Sequence, residues 1–167
     1  MIKLNCAEIA LMLDGALTGH NVSISNVSTD SRVIAEHDLF IALKGPNFDG
    51  SAFVAEVKEK GAAAVVVDQA VAVDIPQIIV QDTRLALGQL AAAVKARLAP
   101  KTIAVTGSAG KTTVKEMMAA ILSRRGNVLA TQGNFNNDIG VPLTLLGLSA
   151  QHRVGVLELG MNHPGEI

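Results

Sequence analysis

Two glycines, a lysine and a threonine follow a short apolar run with the spacing of a phosphate-binding loop. Residues 106–113 read Thr-Gly-Ser-Ala-Gly-Lys-Thr-Thr. Backbone N–H groups of such a loop, with the N-terminus of the helix after it, bind phosphate oxygens. In this pattern Lys111 is expected to reach the β- and γ-phosphates, and the Thr112 hydroxyl is expected to bind Mg²⁺. The candidate nucleotide-binding residues are Thr106, Gly107, Ser108, Ala109, Gly110, Lys111, Thr112 and Thr113.

The match to the strict phosphate-loop pattern is incomplete, because Val105 stands where the first glycine would be. A simpler interpretation is a glycine-containing turn that caps a helix. The Lys-Thr pair after the second glycine favours the phosphate site, as do the strand-like residues before the loop and the helix-like residues after it. We therefore predict a nucleotide-phosphate site.

Glu158 ends the apolar run 154–157, which is typical of a buried strand. If that strand lies parallel to the one before the loop, the carboxylate reaches the same edge of the sheet. It could then hold Mg²⁺ together with Thr112, since this ion accepts carboxylates, hydroxyls and water. The alternative is a strand-end glutamate that faces solvent, which the apolar neighbours make less attractive. We predict Lys111, Thr112 and Glu158 as catalytic residues, and Thr112 and Glu158 as metal ligands.

A polar loop, residues 131–138, contains three asparagines and an aspartate within five positions. Side chains of this kind commonly hydrogen-bond to the backbone of their own turn. So many of them next to the predicted phosphate edge also favour a role in holding substrate or Mg²⁺. Asn134, Asn136 and Asn137 are the candidates, while Asp138 is expected to be a helix N-cap. His163, farther along, could contact a substrate phosphate or carboxylate, or it could be incidental.

Ser31 and Arg32 follow a predicted strand in the first part of the chain. A guanidinium can pair with a phosphate, and a serine hydroxyl can support that pairing. The alternative is a turn with a surface ion pair between Asp30 and Arg32, and the residues by themselves favour that simpler interpretation.

Composition excludes several classes of protein. Hydrophobic residues make up 49% of the 167 residues and charged residues 17%, which is enough to bury a core. The net charge of −1 argues against a nucleic-acid binder and against binding to an anionic membrane surface. The single cysteine, Cys6, allows no internal disulfide and is compatible with a reducing cytosol. No apolar run reaches about 18 residues, so we expect a cytoplasmic protein without membrane insertion.

The order of elements predicts an α/β protein with two parts. Residues 1–82 read as a small α/β domain, residues 83–99 as a connecting helix, and residues 100–167 as a parallel sheet with a phosphate-binding loop. In the third range the order is strand, helix, strand, helix, strand, and ligands bind at the carboxyl edge of such sheets. Three strands are few for a self-sufficient nucleotide-binding sheet. We therefore expect the chain to be a fragment whose nucleotide-binding domain is incomplete.

These stretches together resemble the Mur ligases, the ATP-dependent amide-bond-forming enzymes of peptidoglycan synthesis. The resemblance runs through nearly the whole chain and is carried by residues 28–32, 38–45, 48–50, 106–117, 133–145 and 158–167. It implies an N-terminal domain that binds the UDP end of a substrate through Ser31 and Arg32. It also implies a central ATPase domain with Lys111 on phosphate and with Thr112 and Glu158 on Mg²⁺. Ser51 is a departure, because the family often has histidine there.

The stretches 133–145 and 158–167 are most similar to the branch of the family that adds D-alanyl-D-alanine to UDP-N-acetylmuramoyl-tripeptide. The resemblance thus implies ATP and Mg²⁺ as cofactors and these two molecules as substrates, with the protein acting as a monomer. The fragment alone is expected to be inactive. Alternatives are a sibling ligase that adds a single amino acid, a folate-polyglutamylating relative, a kinase or simple NTPase, and a nucleotide-binding module without ligase activity.

Overall fold

A computed structural model describes residues 3–45 and 48–160 of the chain. The fold divides into two compact units, Met1–Leu90 and Ala91–Ile167. The division falls inside a long helix, Thr83–Leu98, which is the segment that the sequence assigns to the connector.

The first unit, Met1–Leu90, is built on a five-stranded sheet with the order β2-β9-β8-β5-β4. Strands β4, β5, β8 and β9 are parallel, and β2 is antiparallel at one edge. Its elements are β1 (Leu4–Asn5), α1 (Cys6–Met12), β2 (Ala16–Thr18), β3 (Ser23–Ile24), β4 (Asn26–Ser28), β5 (Asp38–Ile41), β6 (Lys44–Gly45), β7 (Phe48–Asp49), α2 (Val54–Glu59), β8 (Ala64–Val67), β9 (Gln77–Ile79) and the start of α3 (Thr83–Leu98).

The core of this unit lies around its two central strands. Every residue of β5 and of β8 is buried, as expected for parallel strands covered on both faces. Valines from β8 and α2 pack with Phe40 in one apolar cluster. Helix α1 begins with a capping box, in which Asn5 Oδ1 accepts from the Glu8 N–H and Glu8 Oε2 accepts from the Asn5 N–H.

Two elements of the first unit differ from the sequence-based expectation. The alternation of apolar and polar residues over 22–28 predicts one strand, but the structure has two: β3 pairs with β1, while β4 pairs with β5. The chain changes sheets at Ser25, whose N–H donates to the His37 carbonyl, and an alternating pattern carries no information on such a change. The pattern of apolar and charged residues over 51–60 predicts a helix, but the α-helix begins later, at Val54, after a 3₁₀ turn over Gly50–Phe53.

The second unit, Ala91–Ile167, contains a three-stranded sheet with the order β10-β12-β11. All of its pairings are parallel, which confirms the predicted βαβαβ order. Its elements after the end of α3 are β10 (Lys101–Val105), α4 (Lys111–Ser123), β11 (Asn127–Ala130), α5 (Gly140–Leu146) and β12 (His152–Glu158).

The register of this sheet brings the carboxyl ends of its three strands to one edge. Val105 of β10 lies opposite Glu158 of β12, and Ala130 of β11 lies opposite Val156. The chain therefore leaves β10, β11 and β12 at the same end of the sheet, where ligands of open α/β sheets bind. Among the described helices, none is both long enough and apolar enough to span a membrane.

Candidate functional site

The loop between β10 and α4 contains two glycines with positive φ. Gly107 has φ +143° and Gly110 has φ +76°, values that residues with a Cβ rarely adopt. Gly110 is the N-cap of α4, and its carbonyl accepts the first helical hydrogen bond from the Val114 N–H. Residues 106–110 are exposed. The first N–H groups of an α-helix have no partner inside it and are available to an anion.

Lys111 lies across this loop. Its Nζ donates a hydrogen bond of 2.5 Å to the Gly107 carbonyl, so the ammonium group is held over the exposed backbone of the loop. Thr112, the next residue, is exposed. A cation over the loop and a hydroxyl beside it are the groups that the sequence assigns to nucleotide phosphate and Mg²⁺.

Glu158 is buried at the end of the central strand, with only 2% of its surface exposed. Its Oε1 accepts a hydrogen bond of 2.9 Å from Asn136 Nδ2. Its backbone N–H donates at 2.9 Å to the Thr131 hydroxyl. Its other carboxylate oxygen, Oε2, is buried and has no hydrogen-bond partner of ordinary geometry among the described residues. A glutamate facing bulk solvent, the simpler alternative, is therefore wrong.

The surroundings of Glu158 favour its charged form. Burial, the largest effect, raises the pKa of the carboxyl group, but hydrogen bonding by Asn136 and Thr112 lowers it. The positive charges of Lys115 and Lys111 lower it as well, and the net pKa lies below the ordinary value. The carboxylate is thus an anion at neutral pH, and the Thr112 hydroxyl is near enough to lower its pKa although no described donor meets Oε2 with ordinary hydrogen-bond geometry.

These residues fit a Mg²⁺ ion that is bound together with nucleotide. A free carboxylate oxygen and a nearby threonine hydroxyl are hard oxygen ligands of the kind that Mg²⁺ prefers, with phosphate and water completing its shell. Within residues 3–45 and 48–160, no group of three or more His, Cys, Asp or Glu side chains could form a metal site by itself. A cation here would therefore depend on the phosphates.

The polar loop, residues 131–138, also forms hydrogen bonds at this site. Asn136 contacts Glu158 through its side chain, and its carbonyl accepts from the Gly160 N–H at 2.7 Å. Asn137 Oδ1 accepts from the Gly140 N–H at 2.8 Å, where α5 begins. The N-cap of α5 is Ile139, so the expectation that Asp138 is the N-cap is wrong. Asn134 is exposed. His163 lies outside the described residues.

Sequence reasoning did not identify Lys115 and Thr131, which lie next to Glu158. Lys115 is completely buried, and its Nζ donates to the Thr131 carbonyl at 2.6 Å. Thr131 is 1% exposed. One available signal was the spacing of Lys115, four residues after Lys111, which places both lysines on one face of α4.

In the first unit, Arg32 is paired with Asp30. Arg32 Nη2 lies 2.6 Å from Asp30 Oδ2, and the arginine side chain is 84% exposed. Hydrogen bonds that the side chain and the backbone N–H of Arg32 donate to the Asp30 carboxylate lower the pKa of Asp30 to about 2. Asp30 also caps a 3₁₀ turn, Ser31–Val33, and Lys60 Nζ donates to the Ser31 carbonyl. The surface ion pair that the residues favoured is present.

Asp30, Ser31 and Arg32 line an open cavity of about 430 Å³. Two phenylalanines on its wall, Phe48 and Phe53, have stacked rings with centroids 5.7 Å apart. The cavity thus combines a guanidinium, hydroxyls and an exposed aromatic surface. Ser51, at the position where histidine was expected, donates from its hydroxyl to Asp49 Oδ1 at 2.7 Å.

Comparison with known proteins places both units in one family. The family model described as Mur ligase family, catalytic domain, matches residues 23–95, and the Mur ligase middle domain matches residues 105–166. Among curated proteins, the chain is 48% identical over its whole length to UDP-N-acetylmuramoyl-tripeptide–D-alanyl-D-alanine ligase of Escherichia coli strain K12. It is 45% identical, again over its whole length, to the enzyme of that name from Bacillus subtilis strain 168.

Solved structures give the same result. A crystal structure of MurF from Acinetobacter baumannii matches 99% of the chain with a TM-score of 0.94 and 43% identity, and 37% of that protein is covered. MurF ligase from Thermotoga maritima, crystallised in complex with ADP, matches 84% of the chain with a TM-score of 0.76 and 32% identity, and 33% of it is covered. The chain spans about 37% of the length of the Escherichia coli relative. With both units matched, the chain belongs to the Mur ligase family.

Proposed function

We propose that the chain is the UDP-precursor-binding and nucleotide-binding part of an ATP-dependent amide ligase. The reaction would join D-alanyl-D-alanine to UDP-N-acetylmuramoyl-tripeptide in peptidoglycan synthesis, as the names of the similar proteins state for those proteins. The observation that carries the proposal is the buried Glu158 carboxylate, whose free oxygen lies at the same sheet edge as Lys111 and the Thr112 hydroxyl.

The assigned residues bind and orient the nucleotide. Backbone N–H groups of residues 107–112 would hold phosphate oxygens, Lys111 would move from the Gly107 carbonyl to the β- and γ-phosphates, and Thr112 and Glu158 would hold Mg²⁺. The bound ion would neutralise charge on the transferring phosphoryl group. Such transfer depends on positioning and on charge stabilisation more than on a protein nucleophile.

The chemistry would have two steps. A carboxylate oxygen of the tripeptide attacks the γ-phosphorus, and the bond between this phosphorus and the β–γ bridging oxygen breaks. The products are ADP, which departs, and an acyl phosphate. The amine of D-alanyl-D-alanine then attacks the acyl carbon, loses a proton, and expels inorganic phosphate. Asn134, Asn136 and Asn137 are proposed to contact substrate at this edge, and His163 is also proposed to contact substrate.

The first unit would bind the UDP end of the precursor. Arg32 and Ser31 would contact the diphosphate, and the stacked Phe48 and Phe53 rings provide an apolar wall next to them. In domain terms we assign residues 1–82 to precursor binding, residues 83–99 to the connection and residues 100–167 to part of the ATPase domain. We also propose a cytoplasmic protein that acts as a monomer.

A calorimetric titration tests the nucleotide site. The chain should bind ADP in the presence of Mg²⁺, and Lys111→Ala should weaken that binding about 10- to 100-fold, because hydrogen bonds to charged groups are worth about 1.5–3 kcal/mol. UDP affinity should be unchanged in this variant. Lys101→Ala, an exposed lysine at the opposite end of β10, is the matched control. Equal ADP affinity in all three proteins would contradict the proposal.

A second candidate is a nucleotide-binding module or NTPase without ligase activity, since the chain covers only part of its relatives. The two candidates differ in the requirement for amine. In an enzyme that contains the remaining length of the relatives, a ligase releases ADP over many turnovers only when D-alanyl-D-alanine and precursor are both present, because without the amine the acyl phosphate is not consumed. Sustained release of ADP without them would favour the NTPase.

A further inference from the structure

A buried lysine is linked to Glu158 through one threonine. Lys115 has no exposed surface, and its Nζ donates to the Thr131 carbonyl at 2.6 Å. The hydroxyl of the same Thr131 accepts from the Glu158 N–H at 2.9 Å. Helix α4, the residue after β11 and the last residue of β12 are therefore joined by two consecutive hydrogen bonds.

The burial of the Lys115 ammonium calls for a partner that offsets its desolvation. A buried charge is costly unless it is paired and hydrogen-bonded, and apolar residues often fill such positions at lower cost. Glu116 Oε1 lies 2.6 Å from Lys115 Nζ, but the Glu116 side chain is 64% exposed. Exposed ion pairs contribute little. The buried anion that Lys115 also acts on is Glu158.

Glu158 is held at both ends. Thr131 fixes its backbone, Asn136 Nδ2 fixes Oε1 at 2.9 Å, and Oε2 is left without a hydrogen-bond partner among the described residues. Removal of a side chain that holds a metal ligand in place commonly weakens metal binding about ten-fold or more. A rigid carboxylate with one free oxygen is suited to a cation that tolerates little distortion, such as Mg²⁺.

We propose that Lys115 and Thr131 are positioning residues that hold Glu158 with Oε2 directed to the nucleotide-bound divalent cation. This inference rests on the proposed nucleotide site. Lys115 keeps Thr131 in place through its carbonyl, and Thr131 in turn keeps Glu158 in place through its N–H. Neither residue contacts the cation or the phosphates in this role.

The test measures Mn²⁺, a paramagnetic substitute for Mg²⁺, on the ADP-saturated chain by electron paramagnetic resonance. ADP affinity without metal is measured separately by calorimetry. Lys115→Met and Thr131→Val should each weaken Mn²⁺ binding about ten-fold, while metal-free ADP binding changes far less. Lys115→Arg should recover part of the loss, because it can still donate to the Thr131 carbonyl. Glu158→Gln removes the proposed carboxylate ligand and shows how much Mn²⁺ affinity is lost without it.

A double variant and a control separate positioning from general damage. Because both residues act through one link, Lys115→Met with Thr131→Val should weaken Mn²⁺ binding less than the two single effects combined. Glu116→Gln, which removes the exposed partner of Lys115, should leave Mn²⁺ affinity unchanged. If Lys115→Met does not fold, as judged by circular dichroism, Thr131→Val carries the test, since it keeps side-chain volume and removes only the hydroxyl.

The possible results distinguish this inference from the function on which it rests. Wild-type Mn²⁺ affinity in both Lys115→Met and Thr131→Val, with a loss in Glu158→Gln, would overturn the positioning role and leave the metal site standing. Wild-type affinity in Glu158→Gln as well would overturn both. Absence of ADP binding by the unmodified chain would also overturn both.

Discussion

Asn136 Nδ2 donates to Glu158 Oε1 across 2.9 Å, although the two residues are 22 positions apart in the chain. The bond occupies one oxygen of the carboxylate and leaves the other, Oε2, buried without a partner among the described residues. Because a buried polar atom without a partner is costly, this arrangement is expected where a ligand completes it. The hydrogen bond therefore selects which oxygen is available to a cation.

Removing the Asn136 amide should weaken cation binding. In Asn136→Ala the carboxylate can rotate, and Oε1 loses its partner, so we expect Mn²⁺ affinity of the ADP-bound chain to fall about ten-fold. Paramagnetic resonance titration measures the change. Gln132→Ala, at an exposed position of the same loop, is the control and should bind as the unmodified chain does. A similar loss in both variants would indicate a general effect on the loop.

Alanine substitutions at two glycines should change the free energy of unfolding in opposite directions. Gly110 has φ +76°, so Gly110→Ala should lower the free energy of unfolding of the second unit by about 1–2 kcal/mol and weaken ADP binding. Gly88 lies within α3, and a Cβ there would meet no atom within 4 Å. Gly88→Ala should therefore raise stability by about 0.5–1 kcal/mol. Urea unfolding measures both changes, provided that the dependence of the free energy of unfolding on urea concentration stays the same. If both variants were more stable, or both less stable, the roles given to the two glycines would be contradicted.

The Asp30–Arg32 pair predicts a charge effect on UDP binding. Arg32→Ala should weaken UDP binding about ten-fold or more, because it removes a charge-assisted hydrogen bond to phosphate. Asp30→Asn should strengthen it, since the competing carboxylate disappears while the amide oxygen can still cap the turn over Ser31–Val33. Calorimetry at low and high salt measures both effects. Lys58→Ala, exposed on α2, is the control for a general loss of positive charge, and weaker UDP binding in Asp30→Asn would contradict this role of Arg32.

The pH dependence of stability should report on Glu158. Its pKa in the folded chain lies below the ordinary value, so the unfolded chain takes up this proton more readily. The ionised carboxylate thus contributes stability above the unfolded pKa of about 4.3, and that contribution is lost as the pH falls through the lower folded value. The free energy of unfolding of the chain relative to Glu158→Gln should therefore decrease in acid. Chemical denaturation at several pH values measures it, and an increase towards low pH would contradict the pKa direction.

Much of the second unit could be predicted from local sequence. The strand, loop and helix around residues 101–123 follow from an apolar run, two glycines and a helical pattern, all of which are short-range signals. The position of Glu158 at the carboxyl end of a parallel strand also followed, because parallel strands joined by helices align their ends. The split of residues 22–28 into β3 and β4 did not follow, since both strands share one alternating pattern.

The amino-acid sequence by itself determined the glycine-containing loop between β10 and α4, the order of strands and helices and the charged residues at the sheet edge, because each depends on neighbours along the chain. Only the tertiary structure decided that β12 lies between β10 and β11, that Lys115 is buried against Thr131, and that Glu158 keeps one oxygen free. Those properties depend on atoms that are distant in sequence and meet only when the sheet is paired. Composition and spacing do not specify such contacts.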